Sequence, residues 1–254
     1  MKIYRFIIII FLLNSCSSKK QIVYLNDYKK SSTNIINKNF FSSTIQSGDI
    51  LKIDVQSIVP EASALFNKKI SSMNINNLEV LKLEGYLVDD SISISFPVLG
   101  KLFLQDMTIN DLEQMIKNLL IAGKHLKSPI VKVRKINSKF TVLGEVNNPG
   151  TFSFYDEKIN LFQALGYAGD LNISAKRSKI KLIREENGLR KVVFIDISKK
   201  ELLENKYFYV KDNDVFIVEP NYSKIKSAGF IGSPSSIASI SSILLSITLL
   251  LINN

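Results

Sequence analysis

Two apolar segments without charged residues frame this chain, and they limit how the part between them can fold. The first is the eight-residue run from Phe6 to Leu13, directly after a short basic stretch, and the second lies within residues 227–254. A run of that length is too short to cross a bilayer, so it predicts a cleaved signal peptide over residues 1–15. We therefore expect an exported chain with a membrane attachment at each end and folded domains between them.

The only cysteine of the chain, Cys16, directly follows the predicted signal peptide. The small residue Ser15 precedes it, which is typical of bacterial lipoproteins, whose cysteine carries acyl chains such as palmitate. The alternative is an ordinary secretory signal followed by a free thiol, but a lone cysteine in an exported chain cannot form an internal disulfide. We therefore predict lipid attachment at Cys16, followed by a polar tether over residues 16–43.

The C-terminal apolar segment predicts a membrane-spanning helix over residues 229–252. Beyond Pro234, which fits the first helical position, about 20 residues would extend over about 30 Å, the thickness of the hydrocarbon core. One face is a stripe of serines, which are Ser235, Ser239, Ser242 and Ser246. The apolar residues that fall largely on the other faces, and would meet lipid, are Ile237, Ile240, Leu244, Ile247 and Leu251. The stripe fits a pore lining or close helix–helix contact, whereas the serines of a simple anchor would bond their own helix carbonyls.

The charge pattern and the scarcity of histidine exclude several classes of function. The formal net charge is +10, and the charged residues are spread along the chain, so we expect a solvated basic surface and no nucleic-acid binding. The chain has a single histidine, His125, which follows a predicted helix end. It therefore has almost no residues with which to build a metal cluster or a His-based catalytic site. We therefore predict that the chain is not an enzyme and has no catalytic residue, metal or cofactor.

Residues 44–136 predict a small α+β domain with the order strand, strand, helix, strand. Alternating apolar residues predict its strands, which are residues 50–55, 92–96 and 130–133. Residues 108–121 have one apolar face and predict the helix, with Thr108 as the N-cap and Asp111 in the first turn. The weakly patterned residues 60–78 predict a loop.

Residues 138–220 predict a second unit, in which four or five strands pack on one helix in a β-grasp-like arrangement. Asn160 is placed to cap the short helix, and a brief further helix is predicted over residues 198–205. The predicted strands are residues 140–146, 151–154, 179–185, 190–197 and 215–218. The predicted fold class is therefore α+β: a small α/β domain, a β-grasp-like domain and a C-terminal transmembrane or amphipathic helix.

Turn motifs of a recognisable kind occur in both units, and their residues are Gly48, Asp49, Pro97, Gly100, Gly144, Glu145, Pro149 and Gly150. They resemble the motifs of the polysaccharide export family, outer-membrane lipoproteins of capsule and exopolysaccharide translocons. The first unit is similar to the polysaccharide export domain, and the second to a soluble-ligand-binding β-grasp (SLBB) domain. The chain departs from the family at four turns. Residues 85–89 only loosely resemble the usual glycine-containing turn, and Asp106, Asp170 and Asn213 stand at or beside a usual glycine.

The resemblance implies an outer-membrane lipoprotein whose bulk lies in the periplasm and whose copies form a homo-oligomeric ring. Its implied partners are a polysaccharide chain that passes through the ring, outer-membrane lipid, and an inner-membrane polysaccharide co-polymerase or chain-length protein. The C-terminal helices would assemble into a pore, with the serine stripe toward the lumen and the Ile and Leu residues toward lipid.

The alternative is a periplasmic glycan-binding or scaffold lipoprotein that forms no pore. In that case Lys179, Lys181 and Arg184 of the predicted hairpin could hold an anionic glycan, because alternate residues of a strand share a face. A scaffold needs only one membrane anchor, whereas this chain is predicted to have two.

Overall fold

The computed structural model describes residues 22–27, 44–68, 84–186, 188–228 and 234–252. Within them the protein is a mixed α+β structure, as the sequence predicts. The buried apolar side chains form two separate cores, one drawn from residues 45–133 and the other from residues 140–218. The predicted signal peptide and Cys16 lie outside the described residues.

A three-stranded antiparallel sheet and one helix build the first unit. The sheet has the order β2-β1-β5, and the strands of this unit are β1 (Ile50–Gln56), β2 (Tyr86–Leu87), β3 (Ser93–Phe96), β4 (Gly100–Phe103) and β5 (Ile130–Lys135). Strands β3 and β4 pair as a separate hairpin. The central strand β1 alternates between buried and partly exposed residues, and its buried side chains share a core with Leu112, Ile116 and Leu120 of the helix. Burial of these residues holds the helix against the sheet.

The ends of this helix confirm the predicted boundaries. It runs over Ile109–Ala122, after the single turn α1 (Pro60–Ser63), and we call it α2. Its N-cap Thr108 accepts a hydrogen bond from the backbone N–H of Asp111, whose carboxylate accepts one from the backbone N–H of Thr108. This reciprocal box satisfies two helix-end donors, which is worth about 1 kcal/mol. Gly123 caps the other end.

The segment that begins at Pro60 is more ordered than the predicted loop. Helix α1 leads into a 3₁₀ helix, Ala64–Phe66, whose Phe66 is buried in the first core. The amide side chain of Asn67 then pairs with the backbone of Val55, accepting from its N–H and donating to its carbonyl, each at 2.8 Å. Asn67 thereby satisfies the edge of β1 at a point where no strand of the described residues pairs with it, a contact that local sequence pattern does not report.

A five-stranded mixed sheet and one helix build the second unit. Its strands are β6 (Lys139–Gly144), β7 (Gly150–Ser153), β8 (Ala175–Glu186), β9 (Leu189–Ile195) and β10 (Val215–Pro220), in the order β7-β6-β10-β8-β9. Strands β6 and β10 are parallel, and the other pairs are antiparallel. Helix α3 (Leu161–Tyr167) covers one face and has the predicted Asn160 cap, completed by the side chain of Gln163. This agrees with the expected β-grasp-like arrangement.

Two elements near the end of the second unit differ from the predictions. The expected helix over residues 198–205 is a shorter 3₁₀ helix, Lys200–Glu204. Helix α4 (Tyr222–Ala228) follows β10 and was not predicted. Its position depends on contacts with β6 and the loop before β8, described below.

The C-terminal helix α5 runs over Pro234–Ile252 and begins at the predicted proline. Among the helices that the described residues form, none is long and apolar enough to cross a membrane. The structure therefore does not support the prediction of a membrane-spanning helix. Helix α5 contains six serines and one threonine among its 19 residues, which lowers its apolar character.

The three departures from the family's glycines keep the backbone conformation that glycine favours. Asp106, Asp170 and Asn213 have φ angles of 57°, 73° and 61°, in the left-handed region. Asp and Asn tolerate this region better than other residues with a Cβ. The turns therefore keep their shape although the glycines are absent.

Gly144 is the position at which a side chain would disturb the second unit most. It ends β6 with φ of +93°, and a Cβ atom there would lie 2.0 Å from the carbonyl oxygen of Val218 on the neighbouring parallel strand. Real atoms do not approach so closely, and the backbone of a central strand pair cannot shift without loss of hydrogen bonds. The glycine of this motif is therefore required by the β6–β10 contact.

We predict that Gly144→Ala lowers the free energy of unfolding by roughly 3 kcal/mol or more, through the clash and the strained φ together. The matched control is Gly166→Ala in α3, where a Cβ would meet nothing within 4 Å. That change should be neutral or stabilise by up to about 1 kcal/mol, because alanine is the better helix former. Urea unfolding measures both, and equal stabilities for the two variants would contradict the prediction.

Candidate functional site

The junction between the two units is an ionic contact centred on Lys135, the last residue of β5. Its Nζ lies 2.5 Å from Asp49 Oδ1 in the first unit and 2.9 Å from Asp212 Oδ2 in the second. The Asp49 residue is only 5% exposed, and its other oxygen accepts from the backbone N–H of Gln46. A nearly buried carboxylate is costly without a cation, so Asp49 holds Lys135 in place, and the Lys135–Asp212 pair is the part of this contact that joins the two units.

Backbone bonds around Lys135 fasten the linker to both units. In the first unit, the side chain of Asn137 accepts from Ile50 N–H and donates to the carbonyl of Gly48, each at 2.9 Å. In the second unit, Asp212 accepts from the N–H of Lys139 at 2.8 Å. The structure therefore brings together the motif turn Gly48–Asp49 and the turn at Asp212, which the sequence had placed 163 positions apart. Sequence analysis missed Lys135, because its partners Asp49 and Asp212 are distant in the sequence and no local pattern connects them.

The second motif turn, Gly144–Glu145, holds helix α4. The carboxylate of Glu145 accepts from Lys224 Nζ at 2.6 Å and from Ser174 Oγ at 2.6 Å. The hydrogen bond from Lys224, followed by that from Ser174, holds the pKa of Glu145 below its ordinary value, so the side chain stays ionised at neutral pH. Glu145 thus positions the helix that leads from the second unit toward α5.

The remaining motif residues lie in tight turns. Pro97 and Gly100 bracket the β3–β4 hairpin turn, in which Gly100 has φ of 74° and exposed Val98 has φ of 67°. Pro149 and Gly150 lead into β7, which pairs with β6. These residues shape turns. No contact that the structure describes joins them with Gly48 and Gly144 in a common pocket.

The basic hairpin does not form the expected three-residue patch. Arg184 is buried, and its guanidinium bonds both carboxylate oxygens of Asp214, at 2.8 Å and 2.6 Å, and the carbonyl of Tyr209. The prediction failed because residue 184 has the opposite parity from residues 179 and 181 on the strand. Burial raises the pKa of Asp214, and the contact with Arg184 opposes that rise.

Only two of the three basic residues face outward. Lys179 lies over the ring of Phe194, 4.4 Å from its centroid, and Lys181 lies 3.4 Å from Glu219. Both lysine side chains therefore already contact neighbouring residues of the sheet. Any glycan contact on this face would rest on Lys179, Lys181 and Phe194, without Arg184.

The serine stripe of α5 bonds its own helix in part. The hydroxyls of Ser242 and Ser246 donate to the carbonyls of Ser239 and Ser242, at 2.8 Å and 2.9 Å. The described side chains on both faces are exposed, including Ser239, Ile240, Ser246 and Ile247. The side chains of Ser235, Ile237, Leu244 and Leu251 lie outside the described ones. A single anchoring helix satisfies its serine hydroxyls in this way, by donation to its own carbonyls. Each hydroxyl oxygen can still accept a hydrogen bond from water.

The described part of the chain holds no group of three or more His, Cys, Asp or Glu side chains that could bind a metal ion. The sole histidine, His125, packs edge-on near Phe66, with ring centroids 6.0 Å apart. Its backbone N–H bonds the carbonyl of Leu120 at the end of α2. These contacts are those of a helix-terminating residue at the border of the core.

The sequence matches two family models over the regions that form the two units. Residues 41–135 match the family described as polysaccharide biosynthesis/export protein, and residues 139–193 match the SLBB domain. The first unit is therefore similar to a polysaccharide export domain and the second to an SLBB domain, and the predicted resemblance to the polysaccharide export family is confirmed. Its members export polysaccharide and are not enzymes, so the prediction of a non-enzymatic chain is confirmed.

Two curated relatives are similar to more than half of this chain. The chain is 27% identical over 158 residues to the EPS I polysaccharide export outer membrane protein EpsA of Ralstonia solanacearum, which covers 60% of the chain and 41% of the relative. It is 26% identical over 160 residues to the EpsA protein of Ralstonia nicotianae, with 61% and 41% covered. The matched region thus spans about two fifths of the length of these relatives.

We predict that Lys135→Met destabilises the protein by about 2–3 kcal/mol, because it leaves the carboxylates of Asp49 and Asp212 at the junction without their cation. Lys132→Met on the same strand is the matched control, since the Lys132 side chain is 65% exposed and its nitrogen lies 3.6 Å from Glu113. That exposed pair should contribute at most about 0.5 kcal/mol. Calorimetry should also show the two units of Lys135→Met melting in separate transitions. A single transition at the wild-type temperature would contradict the prediction.

Proposed function

We propose that the chain is a subunit of a ring-shaped channel that exports capsular or extracellular polysaccharide through the outer membrane. The observation that carries this proposal is the succession of an export domain and an SLBB domain in one chain, at residues 41–135 and 139–193. The two relatives, which align with 158 and 160 residues of the chain, are named as polysaccharide export outer membrane proteins. The bulk of the chain would lie in the periplasm, where its partner is an inner-membrane polysaccharide co-polymerase.

The outer face of the five-stranded sheet supports assembly into a ring. Leu143, Val192 and Phe194 lie on this face and are 42%, 55% and 52% exposed. The strand register places Leu143 and Phe194 in one row across the sheet. Leu143 pairs with Ile217, Ile217 with Lys181, and Lys181 with Phe194. Apart from Lys181 this row is apolar, and an exposed apolar surface on a sheet is suited to contact with a neighbouring copy. The Lys135 junction would let both domains pack as one body.

The membrane end of the proposed channel consists of the acyl chain on Cys16 and helix α5. In this arrangement the serine stripe, Ser235, Ser239, Ser242 and Ser246, faces the lumen. The residues that face lipid are Ile237, Ile240, Leu244, Ile247 and Leu251. A polysaccharide is heavily hydrated, so a lumen lined by hydroxyl groups lets it pass with its water shell.

Two adjacent substitutions on α5 test this orientation. Both Ser246 and Ile247 are exposed in the structure, and they lie on different faces of the helix. We predict that Ser246→Lys keeps polysaccharide export, because the ammonium would enter a wet lumen. The same lysine in Ile247→Lys should abolish export, because a charge facing lipid costs about 2.5–3.5 kcal/mol in each copy.

The measurement is the amount of polysaccharide on the surface of cells in which each variant replaces the wild-type chain. Immunoblotting of membrane fractions controls for the amount of protein. Equal export by both variants, or loss in Ser246→Lys alone, would contradict the proposed orientation of α5.

A periplasmic glycan-binding or scaffold role without a pore is the second candidate. The self-bonded hydroxyls of Ser242 and Ser246 favour it, because a simple anchor satisfies its serines in this way. The outward Lys179 beside Phe194 would then provide the glycan contact. Under this role, export would be insensitive to Ser246→Lys and would fall when Lys179 and Lys181 are both replaced by alanine.

A further inference from the structure

A short segment near the N-terminus, Ile22–Asp27, lies on the second unit although the sequence predicts a polar tether there. Three hydrogen bonds hold the segment there. The backbone N–H of Leu25 donates to Ile197 O at 3.2 Å, and that of Asn26 donates to Ser198 O at 2.7 Å. The side chain of Asp27 accepts from Lys200 N–H at 2.8 Å. All three partners lie in the chain that follows β9. The segment therefore has a defined binding surface on the SLBB domain.

Tyr24 is the anchor of this segment. Its ring meets the edge of Phe162, with centroids 5.8 Å apart, and its hydroxyl donates to the carboxylate of Asp170. The guanidinium of Arg177 lies 5.6 Å from the ring centroid. Burial, and then the bond to Asp170, raise the pKa of Tyr24 to about 12, so the hydroxyl remains protonated and can donate at physiological pH.

The surface beneath Tyr24 contains the cation of Arg177, for which the second unit provides only long hydrogen bonds. Arg177 is 5% exposed, and its guanidinium reaches the carbonyls of Ala175 and Leu171 only at 3.5 Å. Among the described residues its Nε has no hydrogen-bond partner. A buried guanidinium in this state gains from an aromatic ring placed over it, because the ring face attracts the cation. The site is thus suited to a segment that brings a tyrosine.

We propose that residues Ile22–Asp27 form a clip that fastens the membrane-proximal end of the chain to the SLBB domain. This inference rests on the proposed lipid anchor at Cys16. The occupant of the surface around Phe162, Asp170 and Arg177 is the chain's own N-terminal segment, which is bound there in the structure.

The clip changes which domain lies near the membrane. Tyr24 is 24 − 16 = 8 residues from Cys16, so the SLBB domain is held within about 28 Å of the acylated residue. Thr44, which pairs with Thr108 in the first unit, is 44 − 16 = 28 residues from Cys16, and an extended chain of that length reaches about 100 Å. Helix α4, which leads toward α5, is also fixed to the SLBB domain through Glu145. Both proposed membrane attachments therefore leave from the same domain.

Hydrogen exchange of the full lipidated chain in detergent micelles tests the clip. In the wild type, the peptide that contains Leu25 and Asn26 should exchange slowly, because both amides are bonded to the second unit. In Tyr24→Ala it should exchange about tenfold faster or more, since the anchor that keeps these bonds closed is lost. Peptides from β8 and β10 should keep their wild-type rates.

Two further variants test whether the faster exchange in Tyr24→Ala is specific to the loss of this side chain. Tyr222→Ala, at a tyrosine that is 78% exposed, is the matched control and should leave the segment's exchange unchanged. Tyr24→Phe keeps the ring over Arg177 and loses only the bond to Asp170, so its exchange should lie between wild type and Tyr24→Ala. Equally fast exchange of the segment in wild type and Tyr24→Ala would overturn the clip.

The intact mass of the same samples separates this inference from the proposed anchor. Acyl mass at Cys16 together with a slowly exchanging segment supports both. A slowly exchanging segment on a chain without acyl mass would overturn the membrane distance while leaving the clip. Acyl mass with a fast-exchanging segment would overturn the clip and leave the anchor in place.

Discussion

The contact of Lys135 with Asp49 and Asp212 is the constraint on which the arrangement of the molecule depends. Asp49 belongs to the motif turn that starts the first sheet, and Asp212 belongs to the turn that starts the last strand of the second. Because Lys135 and the nearly buried Asp49 both belong to the first unit, moving the two domains apart would leave the carboxylate of Asp212 without its cation. The position of the second sheet, and of everything attached to it, follows from this junction.

The second domain is the part of the molecule to which the other elements are attached. Its parallel β6–β10 pair requires Gly144, and the next residue, Glu145, binds helix α4 through Lys224. The N-terminal segment binds the same unit through Tyr24, whose hydroxyl donates to Asp170. In the proposed assembly, the elements nearest the membrane would therefore all be attached to the second domain, and the first domain would lie farther from the membrane.

Features that depend on residues close in sequence could be predicted, and features that depend on distant residues could not. The caps at Thr108 and Asn160 and the left-handed turns at Asp170 and Asn213 are local, so the residue types report them. The Lys135–Asp212 and Tyr24–Asp170 contacts join residues 77 and 146 positions apart, and periodicity carries no record of them. The basic hairpin failed for a different reason, since strand parity, which the sequence does contain, puts Arg184 on the buried face.

The central claim is that copies of this chain close into a ring, and the mass of the assembly tests it most directly. The full lipidated chain would be extracted from outer membranes in a mild detergent and measured by native mass spectrometry. The account predicts one dominant species whose mass is a fixed multiple of the lipidated subunit, with closed rings of matching size in electron micrographs. A monomer as the dominant species at every protein concentration would contradict the account and favour the scaffold role.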